Sequence, residues 1–125
     1  MATPQQTRAI ARYFKAHYEG LIKRGQLRHL PANTEWEETL GVKPGTYQNG
    51  AYWATPVGWF VYTLDFADPQ LADQTVVDLV RDFISSGDEN ECVNDHYQNV
   101  SHYIASVASP LNGIRATQHR RQRKG

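Results

Sequence analysis

Several features that would narrow the function are scarce or missing in this chain. It has one cysteine, Cys92, and no run of 18 apolar residues. A single cysteine excludes an internal disulfide and a zinc site built from several cysteines. Without a long apolar run, no transmembrane helix and no membrane partner are predicted. The N-terminus lacks a basic segment followed by an apolar one, so we predict no signal peptide and, by default, a cytoplasmic location.

The composition nevertheless predicts a folded domain. Of 125 residues, 40% are apolar and 11% are aromatic, which is enough for a packed core. The net charge of zero hides an asymmetry, because residues 34–95 hold twelve acids and only two bases. An acidic, aromatic middle is a poor nucleic-acid surface, so no nucleic-acid partner is predicted. We predict one helical domain over residues 1–118 and a basic, disordered tail over 119–125.

The first predicted helix runs from about residue 4 to residue 24. Thr3 can cap it, Pro4 suits its first position, and Gly25 can end it in the left-handed conformation. One apolar stripe with helical spacing runs along it, formed by Ile10, Tyr13, Phe14, His17, Tyr18, Leu21 and Ile22.

Three further helices follow in the prediction. The second starts at Thr55-Pro56 and is apolar on all sides to about residue 67, so it should be buried all round. The third starts at Asp68-Pro69, and its apolar stripe continues to about residue 85. The last starts near residue 101 and contains Pro110, which predicts a kink or a break at Ser109.

These patterns predict an all-α fold of antiparallel helical hairpins, with about four main helices and two long loops. Asn49-Gly50 is a turn pair, but its flanks do not alternate as the strands of a hairpin do. The loops are residues 26–53 and 87–100. Long structured loops in compact domains usually carry function.

The first loop carries side chains that are typical of sugar binding. Residues 45–53 place three aromatic rings beside two amides. Sugars stack their C–H faces on aromatic rings, and their hydroxyls need the donors and acceptors that Gln48 and Asn49 supply. The alternative is an aromatic loop that is buried for structural reasons, and the residue types leave both interpretations open.

Carboxylates in both loops are candidates for acid–base chemistry. Glycoside hydrolysis needs a protonated acid and an ionised base or nucleophile on either side of the scissile bond. The alternative is a solvated acidic surface. The carboxylates concerned are Glu35, Glu37 and Glu38 around Trp36, and Asp88, Glu89, Glu91 and Asp95 in the second loop. Cys92, His96 and His102 do not fit a standard zinc spacing, so neither a metal nor another cofactor is predicted.

Residues 47–53, Tyr-Gln-Asn-Gly-Ala-Tyr-Trp, resemble a Tyr-x-Asn-Gly-x-x-Trp element of the six-hairpin, (α/α)6-toroid glycosidases. In those enzymes the element lies before one of the last barrel helices. Residues 24–31, followed by Glu-Trp-Glu at 35–37, are similar to the connection that enters this loop. Residues 87–103 are similar to the next loop. The resemblance covers about residues 8–116, which corresponds to two hairpins of a twelve-helix toroid.

The resemblance implies a carbohydrate-processing protein, the C-terminal part of a glycoside hydrolase-like toroid with a carbohydrate ligand. It implies Glu91 as the catalytic carboxylate, acting as a general base in an inverting mechanism. Because the opposing carboxylate usually comes from an earlier hairpin, such a piece is expected to be inactive alone or to be complemented by another chain. The sugar-binding residues that the resemblance implies are Arg28, His29, Trp36, Tyr47, Gln48, Asn49 and Trp53.

A non-catalytic helical binding or interaction module is the alternative function. Two hairpins cannot cover the apolar faces of a toroid, and exposed apolar patches usually mark interfaces. The sequence therefore predicts self-association or an apolar patch that involves some of Trp59, Phe60, Val61 and Tyr62, or the stripe that contains Tyr13 and Phe14. Its expected partner is a second copy or the missing N-terminal portion of the toroid.

Overall fold

Five helices and five short strands form the part of the chain that the computed structural model describes, residues 2–38 and 41–123. The helices are α1 (Pro4–Ala16), α2 (Tyr18–Leu21), α3 (Val57–Leu64), α4 (Pro69–Ser86) and α5 (Ala105–Gln122). The strands are β1 (Ile22–Lys23), β2 (Gln26–Arg28), β3 (Tyr52–Trp53), β4 (Cys92–Asn94) and β5 (Tyr97–Asn99).

The five strands form one antiparallel sheet in the order β1-β2-β3-β4-β5. The predictions of an all-α fold and of a partial toroid of helical hairpins are therefore wrong. Each strand has two or three residues, too few to show the alternation that predicts a strand from sequence. Their pairing joins segments that are far apart in the chain, such as Tyr52 with Val93.

The first predicted helix is shorter than expected because the chain turns into the sheet. A capping box starts α1, in which Thr3 and Gln6 exchange side-chain and backbone hydrogen bonds. Arg24 and Gly25 then form the two-residue turn between β1 and β2, with φ of 55° and 72°. Gly25 thus adopts the left-handed conformation that was predicted, but in a hairpin turn instead of a helix end.

The other helices start close to their predicted positions. The carboxylate of Asp68 accepts a hydrogen bond from the N–H of Leu71 at 3.0 Å and caps α4, which ends at left-handed Gly87. Pro110 lies inside α5 without breaking it. None of the described helices is long and apolar enough to cross a membrane.

Helix α3 lies at the centre of the helical layer and packs against α1, α4 and α5. Phe60, Val61 and Leu64 are buried in the core. Trp59 is 71% exposed, so α3 is not buried on all sides as predicted. Of the apolar patch residues predicted on α1, Tyr13 is exposed and Phe14 packs against the core.

Helices α3 and α5 approach each other closely. A Cβ added to Gly113 would lie 2.3 Å from the backbone of Gly58, and one added to Gly58 would lie 2.5 Å from the carbonyl oxygen of Pro110. The two backbones are therefore in contact where these residues meet, and only glycine fits at either position.

Residues 119–122, assigned from sequence to a disordered tail, form the last turn of α5. Arg120 and Arg121 both pair with Asp65, which lies directly after α3. Burial alone would raise the pKa of Asp65, but hydrogen bonds from Arg121 and Arg120 lower this pKa below its usual value. Lys124 and Gly125 lie outside the described residues.

Candidate functional site

The sheet brings the two long loops to the same end of the helices. Pairing of Tyr52 with Val93 joins the first loop to the second. The amide of Asn94 donates a hydrogen bond to the carbonyl oxygen of Gly45 at 2.8 Å, which fastens the loops at a second point. The prediction that both loops lie at the same end of the helices is confirmed.

An aromatic stack lies at this end of the molecule. The imidazole of His29 stacks on the indole of Trp53, with centroids 4.8 Å apart and planes 12° apart. The Tyr47 ring lies against the same indole at 5.1 Å, and the Trp53 N–H points to the Tyr47 carbonyl oxygen at 3.4 Å. Trp53 is only 6% exposed, whereas His29 is exposed. His29 thus presents the accessible face of the stack.

Although its outer face is accessible, His29 is partly covered by the protein, and this affects its protonation. Burial against the protein lowers the pKa of His29 below its usual value of 6.5. The imidazole is therefore mostly neutral at pH 7. A neutral imidazole offers one donor and one acceptor nitrogen, the combination that a sugar hydroxyl needs.

Asn49 has a structural position. Its side chain is fully buried, and its amide oxygen accepts the N–H of Trp36 at 3.0 Å. Its amide nitrogen donates to the carbonyl oxygens of Trp36 at 3.0 Å and Val42 at 3.3 Å. Every polar atom of this side chain is used within the protein, so direct sugar binding by Asn49 is not available in this fold.

Arg28 is also committed to the interior. Its side chain is 8% exposed and forms an ion pair with Glu35 beside Gly50. Its guanidinium lies 5.6 Å from the centre of the Tyr52 ring. Gly50 has φ of 111°, and an added Cβ would lie 2.6 Å from the Arg28 guanidinium. Arg28 therefore neutralises Glu35 and supports the loop instead of projecting into solvent.

Glu91 is half-buried and is held by a neutral partner. The amide of Asn99 donates to its carboxylate at 2.7 Å across the β4–β5 hairpin. Within residues 2–38 and 41–123 it forms no ion pair, unlike Glu35. Burial, with a smaller contribution from the Glu91 charge, raises the pKa of neighbouring Cys92 to about 12. Glu91 is thus a fixed carboxylate that keeps acceptor capacity, while Cys92 is a buried thiol without nucleophilic character.

Trp36 and Gln48 are the remaining sequence-predicted residues, and both are accessible. Trp36 is 40% exposed, although its backbone is held by Asn49. Gln48 is exposed at the tip of the turn between Thr46 and Asn49. In this arrangement buried residues hold the backbone of the loop, while the side chains of Trp36 and Gln48 remain exposed. Such an arrangement favours ligand binding.

Two residues of the site were missed by sequence reasoning. Tyr97 packs with Tyr47 against the cluster of Ala51, Trp53 and Cys92. Asn99 orients Glu91. Both belong to β5, which pairs with β4 across the two-residue turn Asp95-His96. Strands of three residues joined by a turn without glycine give no hairpin signal in the sequence.

The described residues bring one group of potential metal ligands together, formed by Asp88, Glu89 and His102. The Asp88 carboxylate is already bonded by the Ser101 hydroxyl and by the N–H of His102 at 2.9 Å. These bonds close the turn before α5 and explain the cluster as loop structure. It differs from the Cys92, His96 and His102 set considered from sequence.

Comparison of the chain with protein-family models, with curated proteins and with solved structures gives no match.

Proposed function

We propose that the protein binds carbohydrate at the sheet-end surface, which we define as His29, Trp36, Gln48, Glu91 and Asn99. The single observation that carries the proposal is the pairing of Tyr52 with Val93, because it brings the two loops that bear these residues into one sheet. The surface combines two exposed aromatic rings with amides and one carboxylate. This composition suits ligands with alternating apolar faces and hydroxyl groups.

The buried residues beneath this surface make it rigid. Asn49 holds Trp36 through the backbone, and Trp53 with Tyr47 supports the imidazole of His29. A pre-organised surface loses little conformational entropy when a ligand binds. The binding role therefore falls to Trp36, His29 and Gln48, while Asn49, Trp53, Tyr47 and Arg28 have a supporting role.

Glu91 is the carboxylate that this surface offers to a sugar hydroxyl. Asn99 donates one hydrogen bond to it and leaves other lone pairs free. In an inverting glycosidase such a carboxylate activates water, but a second carboxylic acid must protonate the leaving group. We therefore propose binding as the activity of this chain, with the Glu91 carboxylate accepting a hydrogen bond from a sugar hydroxyl.

The test is an NMR titration with soluble tetrasaccharides of glucose, mannose, xylose and galactose. At least one should shift amide signals in residues 28–36, 45–53 and 91–99 together. Trp36→Ala should weaken that binding at least tenfold through loss of the exposed ring. Trp59→Ala is the matched control, since it removes an exposed tryptophan from α3 and should leave the affinity unchanged.

A Glu91→Gln variant separates binding from acid–base chemistry. If Glu91 only accepts hydroxyl hydrogen bonds, this substitution should weaken binding less than Trp36→Ala does, because the amide oxygen of glutamine still accepts. The proposal fails if none of the four sugars causes shifts in these segments, or if Trp59→Ala and Trp36→Ala weaken binding equally.

A further inference from the structure

A small cleft opens beside the last turn of α1 and the short helix α2. We call it the α1–α2 cleft, and its volume is about 260 Å³. Residues of α1 and α2 form one side of it, and the segment that follows β2 forms the other. The described residues that line it are Tyr13, His17, Gly20, Leu21, Pro31 and Ala32. None of these is an acid, a lysine or an arginine, so the cleft suits an uncharged group.

An aromatic pair lines the cleft. Tyr13 and His17 are four residues apart, so their side chains project from the same face of the helix. The two rings stack with their centroids 4.1 Å apart and their planes 23° apart. Tyr13 is 48% exposed, and His17 is exposed as well. Two stacked rings next to Leu21 and Pro31 offer apolar contact to the C–H face of a sugar ring.

Two polar atoms of this pair are not used within the described residues. The Nδ1 atom of His17 lies 2.9 Å from the carbonyl oxygen of Tyr13. Because a carbonyl oxygen only accepts, Nδ1 carries the proton of this bond, and the neutral ring keeps Nε2 as an acceptor. The Tyr18 hydroxyl bonds Thr75 at 2.9 Å, whereas the Tyr13 hydroxyl has no such partner in the described part of the chain. A phenol and an imidazole nitrogen can therefore bond the hydroxyls of a ligand in the cleft.

The α1–α2 cleft lies next to the sheet-end surface. Pro31, which lines the cleft, is two residues from His29, which belongs to that surface. Two residues of chain span at most about 7 Å, even when fully extended. The segment that continues from Pro31 and Ala32 leads to Trp36, the second exposed ring of the sheet-end surface. A ligand made of several linked rings can therefore contact both places, whereas a single ring can contact only one.

We propose that the α1–α2 cleft is a second subsite, which takes one uncharged sugar unit of an oligosaccharide whose other units lie on the sheet-end surface. This inference rests on the carbohydrate binding proposed above and names the ligand class as a neutral oligosaccharide. Tyr13 and His17 supply the apolar face and the hydrogen-bonding groups of the subsite. Because the units are linked, the second contact is intramolecular and raises the affinity of the whole chain of sugars.

The test uses hexasaccharides of glucose, mannose, xylose and galactose in an NMR titration of the full chain. At least one should shift the amide signals of Gly20 and Leu21 together with those of residues 28–36, 45–53 and 91–99. Isothermal titration calorimetry should give one hexasaccharide per protein chain, because both subsites share one ligand.

Gly20→Leu is the variant that closes the cleft. A Cβ added to Gly20 has no atom within 4 Å, so a leucine side chain can extend into the cleft without displacing the backbone. It should weaken hexasaccharide binding at least fivefold, as should Tyr13→Ala, which removes the accessible ring. Gly20→Ala adds only a methyl group and should change the affinity less than twofold. Trp59→Ala, which removes an exposed ring outside both surfaces, should do the same.

The outcomes separate this inference from the proposed function. Shifts confined to residues 28–36, 45–53 and 91–99 would overturn the second subsite and leave carbohydrate binding at the sheet-end surface intact. An affinity that Gly20→Leu and Tyr13→Ala leave unchanged would do the same. Two hexasaccharides per chain would overturn the shared ligand. The absence of shifts in every segment would overturn the carbohydrate proposal and this inference with it.

Discussion

Asn49 joins the turn at residues 46–49 to the backbone of Trp36 through two side-chain hydrogen bonds and to the carbonyl oxygen of Val42 through a third. Asparagine is a residue type that often binds sugar hydroxyls, but the side chain of Asn49 is fully buried and cannot contact a ligand. The Asn49 side chain both donates a hydrogen bond to the backbone of Trp36 and accepts one from it, as a residue of a neighbouring β-strand would do. The chemistry of asparagine is thus used to order the loop that presents Trp36.

Replacing Asn49 with alanine removes these three bonds and leaves a cavity in the loop. We expect Asn49→Ala to lower the free energy of unfolding by roughly 2–3 kcal/mol, since each net hydrogen bond contributes about 1 kcal/mol. Urea unfolding followed by circular dichroism measures it. Gln48→Ala, at the exposed neighbouring position, should change stability by less than about 0.5 kcal/mol. Equal effects of the two variants would contradict the structural role of Asn49.

His29 gives the site a pH dependence. Its pKa is below 6.5 in the folded chain because burial disfavours the charged ring. The unfolded chain therefore binds more protons as the pH falls through 6.5, and the His29 contribution to stability is lost below that pH. We expect an NMR titration of the His29 ring to give a pKa below 6.5, and His29→Gln to remove part of the stability loss between pH 7 and pH 5. A ring pKa of 6.5 or higher would contradict the partial burial of this ring.

Among the elements, α3 and α5 have the strictest packing requirement. Gly113→Ala would place a methyl group 2.3 Å from the backbone of Gly58, and backbone atoms cannot rotate away as a side chain can. We expect Gly113→Ala to lower the free energy of unfolding by at least about 2 kcal/mol, which lies in the upper part of the range for substitutions that overpack a site. The measurement is thermal or urea unfolding with circular dichroism.

Gly20 supplies the matched control for this substitution. It lies in α2, and an added Cβ would have no atom within 4 Å. Gly20→Ala should be neutral or stabilising by up to about 1 kcal/mol, because alanine has the higher helix propensity. If Gly113→Ala were tolerated as well as Gly20→Ala, the close contact between α3 and α5 would be refuted.

The helices and the sheet differ in how well the sequence predicts them. Asp68, Pro69 and Gly87 are local signals that fix the ends of α4, so its predicted end at residue 85 differs from the observed one by one residue. The strands have no such signals, since each has two or three residues, and the pairing of β3 with β2 and with β4 joins segments that are far apart in the chain. Long-range pairing is a tertiary effect that hydrophobic periodicity does not encode.

The candidate site, like the fold, could be predicted only in part from the sequence. Sequence reasoning selected the two loops that the sheet brings together, because aromatic, amide and acidic residues are concentrated in them. It could not separate accessible side chains from supporting ones, since Asn49 and Gln48 are alike in chemistry and differ only in burial. Asn99 and Tyr97 were missed because their relation to Glu91 and Tyr47 depends on the hairpin that pairs β4 with β5.

At the scale of the whole molecule, Asp65 connects the end of α3 to the end of α5. The N–H of Arg121 donates to its carboxylate at 2.7 Å, and Arg120 pairs with the same group while stacking on Tyr62 at 4.1 Å. Residues more than fifty positions apart are thereby held together. The basic C-terminal segment is thus part of the folded structure through residue 122.

This connection predicts an acid-sensitive stability. Because the pKa of Asp65 is lowered in the folded chain, its contribution is present above about pH 4 and is lost as the pH falls through the lowered pKa. Asp65→Asn should destabilise the protein by roughly 2–3 kcal/mol at pH 7 and reduce the loss of stability between pH 5 and pH 2.

Asp73→Asn is the control for Asp65→Asn. Asp73 pairs with the same Arg121, but its side chain is 63% exposed, so its loss should cost less than about 1 kcal/mol. Urea midpoints measured across this pH range compare the two variants. An unchanged acid profile in Asp65→Asn would contradict the role given to this carboxylate.

The short length of the strands determines which part of the molecule unfolds locally first. A sheet of two- and three-residue strands is not stable alone, so it persists only while the helices to which it is attached remain packed. Its amides should therefore exchange with deuterium faster than those of α3, through local opening that leaves the core intact. A bound sugar would slow exchange in β2 and β5 simultaneously, although about seventy residues separate them in the chain.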